Sequence, residues 1–215
     1  MQYIAALDYE HLDNGIFLSS LAKSISQQKE VRPIIIHGDS KYTERVIQTG
    51  VMREDAVVRS IKDLNHRLIA LFADEGISTI GINGYQREFI SIQDDKISMD
   101  KKYFNSLPEE PALLISTLVL NRDHNQPQPI SLTRLATFLR SNLPAEQLFV
   151  FSRSDSDEIM KNNELNDRAA WKELEKSFIE NKIPEEFHRF NEKMNLTTAQ
   201  HFHKVPSLES TMQIS

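Results

Sequence analysis

The 215-residue chain contains no cysteine. That excludes disulfides, cysteine-ligated zinc and thiol nucleophiles, and it suits a reducing compartment. No apolar run approaches the roughly 18–20 residues a membrane span requires. The opening residues, MQYIAALDYEHLDNG, lack a basic stretch ahead of an apolar one and do not read as a secretory signal. Basic excess is missing too: the net charge is −6, the opposite of a duplex-binding footprint. The resulting expectation is a cytoplasmic protein that partners neither membrane nor nucleic acid. Glycine is scarce and unevenly placed. All six, Gly15, Gly38, Gly50, Gly76, Gly81 and Gly84, fall within the first 84 residues. Loops that cradle phosphate use glycine so that backbone N–H groups can approach the anion. Any such loop therefore belongs to this part of the chain. With 40% hydrophobic and 26% charged residues, a chain of this length can bury a full core in one domain, or one domain with an appendage.

The apolar runs are short and separated by helical patterns. YIAAL (3–7) and PIIIH (33–37) read as strands, the second without alternation, as for a strand covered on both faces. Between them GIFLSSLAKSISQQ carries apolar residues at helical spacing, and KYTERVIQTG fits a helix closed by Gly50. A longer helix is predicted after Glu54 and Asp55, from Val57, Ile61, Leu64, Leu68 and Leu71, and ends at Gly76. ISTIGI (77–82) is strand-like. Asn83-Gly84 and Asp94-Asp95 are turns flanking a hairpin-like excursion. PALLISTLVLN (111–121) reads as one central strand, RDHNQPQP as a polar turn, SLTRLATFLRSN as a helix capped by Ser131, and QLFVFS as another buried strand. The order implies a mainly parallel sheet with helices on both faces, a three-layer α/β/α sandwich over residues 1–153. Residues 154–215 read as a helical C-terminal segment packed on the same domain. Two amphipathic helices are expected there, from Trp171, Leu174 and Phe178 and from Phe187, Phe190 and Met194, the second starting at Pro184; a disordered tail, KVPSLESTMQIS, follows. These stripes read as core or interface.

Across residues 1–153, and best over 33–84, the series of motifs resembles the amino acid kinase superfamily, acetylglutamate kinases most closely. The family has a strand ending in a His-Gly-Gly-Gly-like turn, here His37-Gly38-Asp39-Ser40. It has a Gly-hydrophobic element and an Arg before an acidic helix start, here Gly50-Val51 and Arg53-Glu54-Asp55. Its long helix carries Val-Asn-Lys, here Leu64-Asn65-His66. A later strand ends Gly-Leu-Ser-Gly-Lys-Asp, here Gly81-Ile82-Asn83-Gly84-Tyr85-Gln86. The resemblance implies a substrate site at Gly38, Asp39, Ser40, Arg53, Asn65 and Gly84, transfer of the ATP γ-phosphoryl to a carboxylate, and a homodimer by analogy.

The sequence departs from that family where phosphoryl transfer needs positive charge. The family's first strand ends in a phosphate-contacting Lys and glycines; here the first lysine is Lys23, and Asp8 and Glu10 stand near the expected loop. Asp39 fills a glycine slot. The family's Asn-Ala-Asp becomes Ser131-Leu132-Thr133, losing a carboxylate that organises the lysines. Its Thr-Asp-Val-Pro-Gly becomes Ser152-Arg153-Ser154-Asp155-Ser156, and its Gly-Gly-Met-x-x-Lys aligns with Pro184-Glu185-Glu186-Phe187. The family's last strands read as short or missing. Removing one charged catalytic group commonly lowers the rate by on the order of 10²–10³, and several are gone together.

The favoured expectation is a pseudoenzyme of this fold: no catalytic residue, no metal, no cofactor, and a binding or regulatory role toward a small acidic metabolite or an active paralogue. One alternative is a divergent kinase for a carboxylate such as N-acetylglutamate, using ATP and Mg and drawing on Lys41, Arg45 or Arg87. The other is an interaction scaffold with only architectural likeness. For single residues, Arg53 is read either as a carboxylate ligand or as a solvated side chain. Asn65 is read as substrate-facing or as polar decoration on its helix. His37 reads as structural and Ser40 as a helix cap with N–H groups open to a small anion. His188, His201 and His203 lack the partners a metal site needs.

Overall fold

The computed structural model describes residues 2–28, 31–145, 147–153, 168–207 and 211–215. Strands β1 (Gln2–Leu7) and β2 (Arg32–His37) pair in parallel, joined by helix α1 (Gly15–Ser26). Both strands are apolar throughout because both faces are covered. Ile4 and Ala6 of β1 pack into one layer, while Tyr3, Ala5 and Leu7 pack into the other. Asn14 caps α1, its Oδ1 accepting the Phe17 N–H at 3.1 Å.

Helix α2 (Tyr42–Gln48) follows β2, and Gly50 closes it at φ +89°. Helix α3 (Arg53–Asp74) has Glu54 and Asp55 in its first turn and ends at Gly76, φ +75°. Its buried face is rotated from the predicted stripe. Ile61, Leu64 and Leu68 are buried as expected, but Ala56, Ser60, Asn65 and Phe72 complete the face in place of Val57 and Leu71.

After β3 (Thr79–Asn83), the hairpin β4 (Ile90–Gln93) and β5 (Lys96–Met99) turns on Asp94 and Asp95, both with positive φ. That is the backbone a two-residue hairpin of this twist demands. Helix α4 (Lys101–Ser106) is capped by Asp100 and leads to β6 (Ala112–Ser116). The run predicted as one central strand is two. The Thr117 N–H still donates to the His37 carbonyl, and the Thr117 carbonyl accepts from Ile130. Past that pivot, β7 (Leu118–Asn121) joins a second sheet of order β5-β4-β7-β8. Strand β8 (Gln126–Pro129) lies within the stretch read as a polar turn; as an edge strand it tolerates Pro127 and Pro129.

Helix α5 (Leu132–Asn142), capped by Ser131, leads to β9 (Leu148–Phe151). The C-terminal segment is not the predicted pair of helices. Its described residues contain one short α-helix, α6 (Lys176–Lys182), together with strands β10 (Arg168–Ala169), β11 (Met194–Thr197) and β12 (Met212–Ile214). These strands extend the main sheet to the order β10-β12-β11-β9-β1-β2-β6-β3, parallel except at β11–β12. The terminal strands expected to be short or missing are present and short, two to four residues each, and one lies in the tail expected to be disordered. Phe187 sits on a single 3₁₀ turn and Met194 opens a strand. Their i, i+3 and i, i+4 spacings fit a helix but fit equally a chain that touches the core at a turn. Residues 154–167, including Ser154, Asp155 and Ser156, lie outside the described residues.

One layer holds α1, α3, Phe202 and Val205 against the sheet; the other holds α5, Phe187 and Phe190. The α/β/α sandwich with a largely parallel sheet is therefore the observed fold. No helix among the described residues is long and apolar enough to cross a membrane.

Candidate functional site

In parallel α/β sheets, ligands bind beyond the carboxyl ends of the strands. Here those ends bring together Asp8, Tyr9 and Glu10 after β1, Gly38, Asp39 and Ser40 after β2, and Ser152 and Arg153 after β9. The turn Glu185–Phe187 closes over them. A cleft of about 560 Å³ is lined by Asp8, Tyr9, Glu10, Glu185, Glu186 and neighbours. No lysine lines it.

The charges at this crest are predominantly negative and are managed internally. Asp8 is buried, with Oδ1 accepting the Glu10 N–H at 2.9 Å and Oδ2 lying 2.5 Å from His11 Nδ1. His11 Nε2 faces the Ser152 carbonyl at 2.9 Å. Both ring nitrogens thus face oxygen atoms, one of the Asp8 carboxylate and one of the backbone. Arg153 Nε meets Glu10 Oε2 at 2.7 Å, and its Nη1 donates to the Glu180 carbonyl. Glu186 Oε2 accepts the Tyr9 N–H at 3.4 Å. Much of the Glu186 residue is accessible, but its carboxyl is crowded. Loss of solvent at the carboxyl, then repulsion from Asp8, Asp39 and Glu10, lifts it to about 7. Burial likewise raises Asp39, against the Thr43 hydroxyl that donates to it at 3.3 Å. The Tyr9 phenol is raised by burial and by Asp39, Glu44 and Asp13.

The six residues assigned to a substrate site separate into two levels. Gly38, Asp39 and Ser40 lie at the crest. Gly38 has ordinary φ and room for a Cβ, whose nearest neighbour would be Thr117 Oγ1 at 3.7 Å. Ser40 Oγ accepts the Tyr42 N–H at 3.2 Å and so serves the first turn of α2. Arg53 lies at the α3 N-terminus with both terminal nitrogens 3.1 Å from Glu44 Oε1, in an exposed pair. The chain's own carboxylate occupies the group expected to take a ligand's.

Asn65 and Gly84 lie below the surface. Asn65 is 2% exposed and donates from Nδ2 to His37 Nε2 at 3.1 Å, so it is neither surface decoration nor open to the crest. His37 in turn donates from Nδ1 to the Gly38 carbonyl at 2.9 Å. Complete burial holds this imidazole neutral, at about 4, which makes His37 structural as expected. Gly81 admits the pair: a Cβ there would sit 2.4 Å from Asn65 Oδ1. The sequence carried a sign of this burial, since Asn65 stands four residues after Ile61 and three before Leu68, on the apolar face. Gly84 is buried where a Cβ would lie 2.7 Å from the Leu118 carbonyl, so close backbone approach accounts for that glycine. Sequence reading also passed over His11 and Tyr9; the Asp8-x-x-His11 spacing was the available signal.

No group of three His, Cys, Asp or Glu residues among the described residues is placed to hold a metal ion. His203 Nδ1 bonds the Gln200 carbonyl, and His201 Nδ1 lies 3.0 Å from Thr198 Oγ1.

This architecture is an amino acid kinase-like fold. No family model matches the sequence, and no curated protein matches it. Solved structures match the fold. An isopentenyl phosphate kinase superposes with a TM-score of 0.66 at 14% identity, covering 100% of this chain and 99% of that one. N-acetylglutamate synthase from Neisseria gonorrhoeae, complexed with coenzyme A and L-arginine, gives 0.63 at 14%, covering 95% of this chain and 57% of that one. Aspartate kinase from Synechocystis gives 0.67 at 9%, covering 92% and 38%. At such identities the likeness is one of fold.

Proposed function

We propose that this protein is an amino acid kinase-fold module that has lost ATP-dependent phosphoryl transfer and acts by binding, in a regulatory role. One observation carries the reading. Asp8, Glu10 and Glu186 line the cleft at the strand ends, where a phosphoryl-transfer enzyme needs cations and N–H donors, and Asp39 acts on Glu186 from nearby. Loss of solvent, with repulsion from Asp8, Asp39 and Glu10 added, already raises the Glu186 carboxyl to about 7; a polyphosphate entering there adds like charge at close range. At the crest Arg153 and Arg53 are matched to Glu10 and Glu44, and His11 to Asp8; Arg189 on the cleft wall is outnumbered by the acids around it. A small acidic metabolite reaches Arg53 by displacing Glu44, an exchange of exposed ion pairs worth about 0.2–1 kcal/mol. That favours a small carboxylate such as an acetylated amino acid over a nucleotide.

Calorimetry on the full chain tests this with Mg·ATP, Mg·ADP and N-acetylglutamate. We expect no nucleotide affinity below millimolar and a measurable carboxylate affinity that Arg53→Ala removes. Phosphorylation of N-acetylglutamate at ordinary turnover would overturn the reading. A second reading, a divergent active kinase, draws support from the completeness of the fold: the match to isopentenyl phosphate kinase runs nearly end to end on both chains. It requires Mg·ATP binding, so the same titration separates the two.

A further inference from the structure

The opposite end of the sheet carries a second set of polar groups, unrelated to the crest. The strands β1 and β2 are each six residues long, so their amino ends lie about 20 Å from their carboxyl ends. At the amino ends Gln2 opens β1, Arg32 opens β2 and Pro111 precedes β6. Together with α4 and the loop after it they form a groove of about 770 Å³, lined by Gln2, Arg32, Phe104, Leu107, Glu109 and Pro144 among others.

Two groups in this groove are incompletely matched. The Arg32 side chain belongs to a residue only 8% exposed. Its Nε donates to the Pro111 carbonyl at 3.3 Å and one Nη to the Pro108 carbonyl at 2.5 Å. Among the described residues it forms no ion pair. This guanidinium lies over the Phe104 ring, 5.8 Å from its centroid, and is held by two neutral carbonyls, so with N–H donors to spare it has unmet capacity for an anion. Gln2 Oε1 is buried with no hydrogen-bond partner, an acceptor in want of a donor. Gln28 offers nothing further: its Oε1 takes the Tyr3 hydroxyl and its Nε2 bonds the Phe202 carbonyl.

The groove's charge is mixed. Glu109, which acts on Arg32 electrostatically, and Glu110 stand at its exposed rim. Two rim carboxylates disfavour a free polyanion, and Arg32 disfavours a free cation. A molecule bearing one charged group of each sign on the same carbon satisfies both. Val31, Phe104, Leu107 and Pro144 supply apolar wall. We propose that this groove binds a free α-amino acid with an apolar side chain, its carboxylate on Arg32, its ammonium between Glu109 and Gln2 Oε1, and its side chain against Phe104 and Leu107. This site stands independently of the reading of the crest, whose failure leaves it untouched.

The test uses the full chain with L-leucine, and with two analogues that each lack one charge: L-leucinamide and 4-methylpentanoate. Thermal shift and calorimetry should register L-leucine, with a rise of roughly 5–10 °C at about 100 times Kd. Both analogues should bind at least about tenfold more weakly. Arg32→Gln should abolish binding. Because Arg32 also holds two backbone carbonyls, Glu109→Gln, at the exposed rim, provides the second variant. It should weaken L-leucine severalfold while leaving 4-methylpentanoate unchanged or tighter. The proposal is overturned if no apolar amino acid shifts the protein at about 10 mM, if an analogue binds as well as L-leucine, or if Glu109→Gln leaves the ratio of the two affinities where it was.

Discussion

The His37–Asn65 pair makes a prediction whose sign and size both follow from the structure. His37 is fully buried and neutral, at about 4 in the native state, against about 6.5 in an unfolded chain. Between those values the unfolded state binds a proton that the native state refuses. Stability contributed by neutral His37 is therefore complete above about pH 6.5 and is lost as pH falls toward 4. The interval corresponds to roughly 3 kcal/mol. Glu186 acts in the opposite direction over an overlapping window. Its carboxyl is raised to about 7 from an ordinary 4.5, so it favours the native state below 4.5 and that contribution fades as pH rises through 7. The wild-type profile alone mixes the two. Urea denaturation of wild type, His37→Gln and Glu186→Gln across pH 4 to 8 separates them. His37→Gln starts from a lower stability, because it disturbs the bonds to Asn65 and Gly38, but it should lose less on acidification. The wild-type-minus-variant difference should shrink by about 2–3 kcal/mol from pH 7 to 4.5. Parallel loss in wild type and His37→Gln would refute the burial argument.

Other expectations follow from single contacts. Asn65→Ala leaves His37 Nε2 buried without a donor and should lower stability by about 1–3 kcal/mol, measured by the same denaturation; a helix-surface asparagine would change it by less than about 0.5 kcal/mol. Gly84→Ala drives a Cβ to 2.7 Å from the Leu118 carbonyl, a backbone atom that cannot swing aside, and should cost about 1–3 kcal/mol, read as a fall in melting temperature. Glu44→Gln releases Arg53 from an exposed pair. Stability should move by less than about 1 kcal/mol, while calorimetry should show tighter carboxylate binding than in wild type.

The sequence alone determined most of the sandwich. Uninterrupted apolar runs such as IIIH specified strands covered on both faces, glycines at 50 and 76 specified where α2 and α3 stop, and Asp94-Asp95 specified a hairpin. Each of these is a local constraint, written in neighbouring residues. The acids at positions 8, 10, 39 and 186 were also legible one by one. Only tertiary structure decided that three segments distant in the chain bring them to one end of the sheet, where loss of solvent raises Glu186 and Asp39. It likewise decided that Asn65 faces His37 across two elements, that Arg53 is held by Glu44, and that Gln2 and Arg32 open onto one groove. The C-terminal strands escaped sequence reading for the same reason. MNLT and MQI are too short to carry a period of their own, and they become strands because β9 offers an edge for β11, which in turn pairs with β12. Backbone pairing between distant segments, and the desolvation that follows it, depends on who the neighbours are, and the order of residues along the chain does not specify that locally.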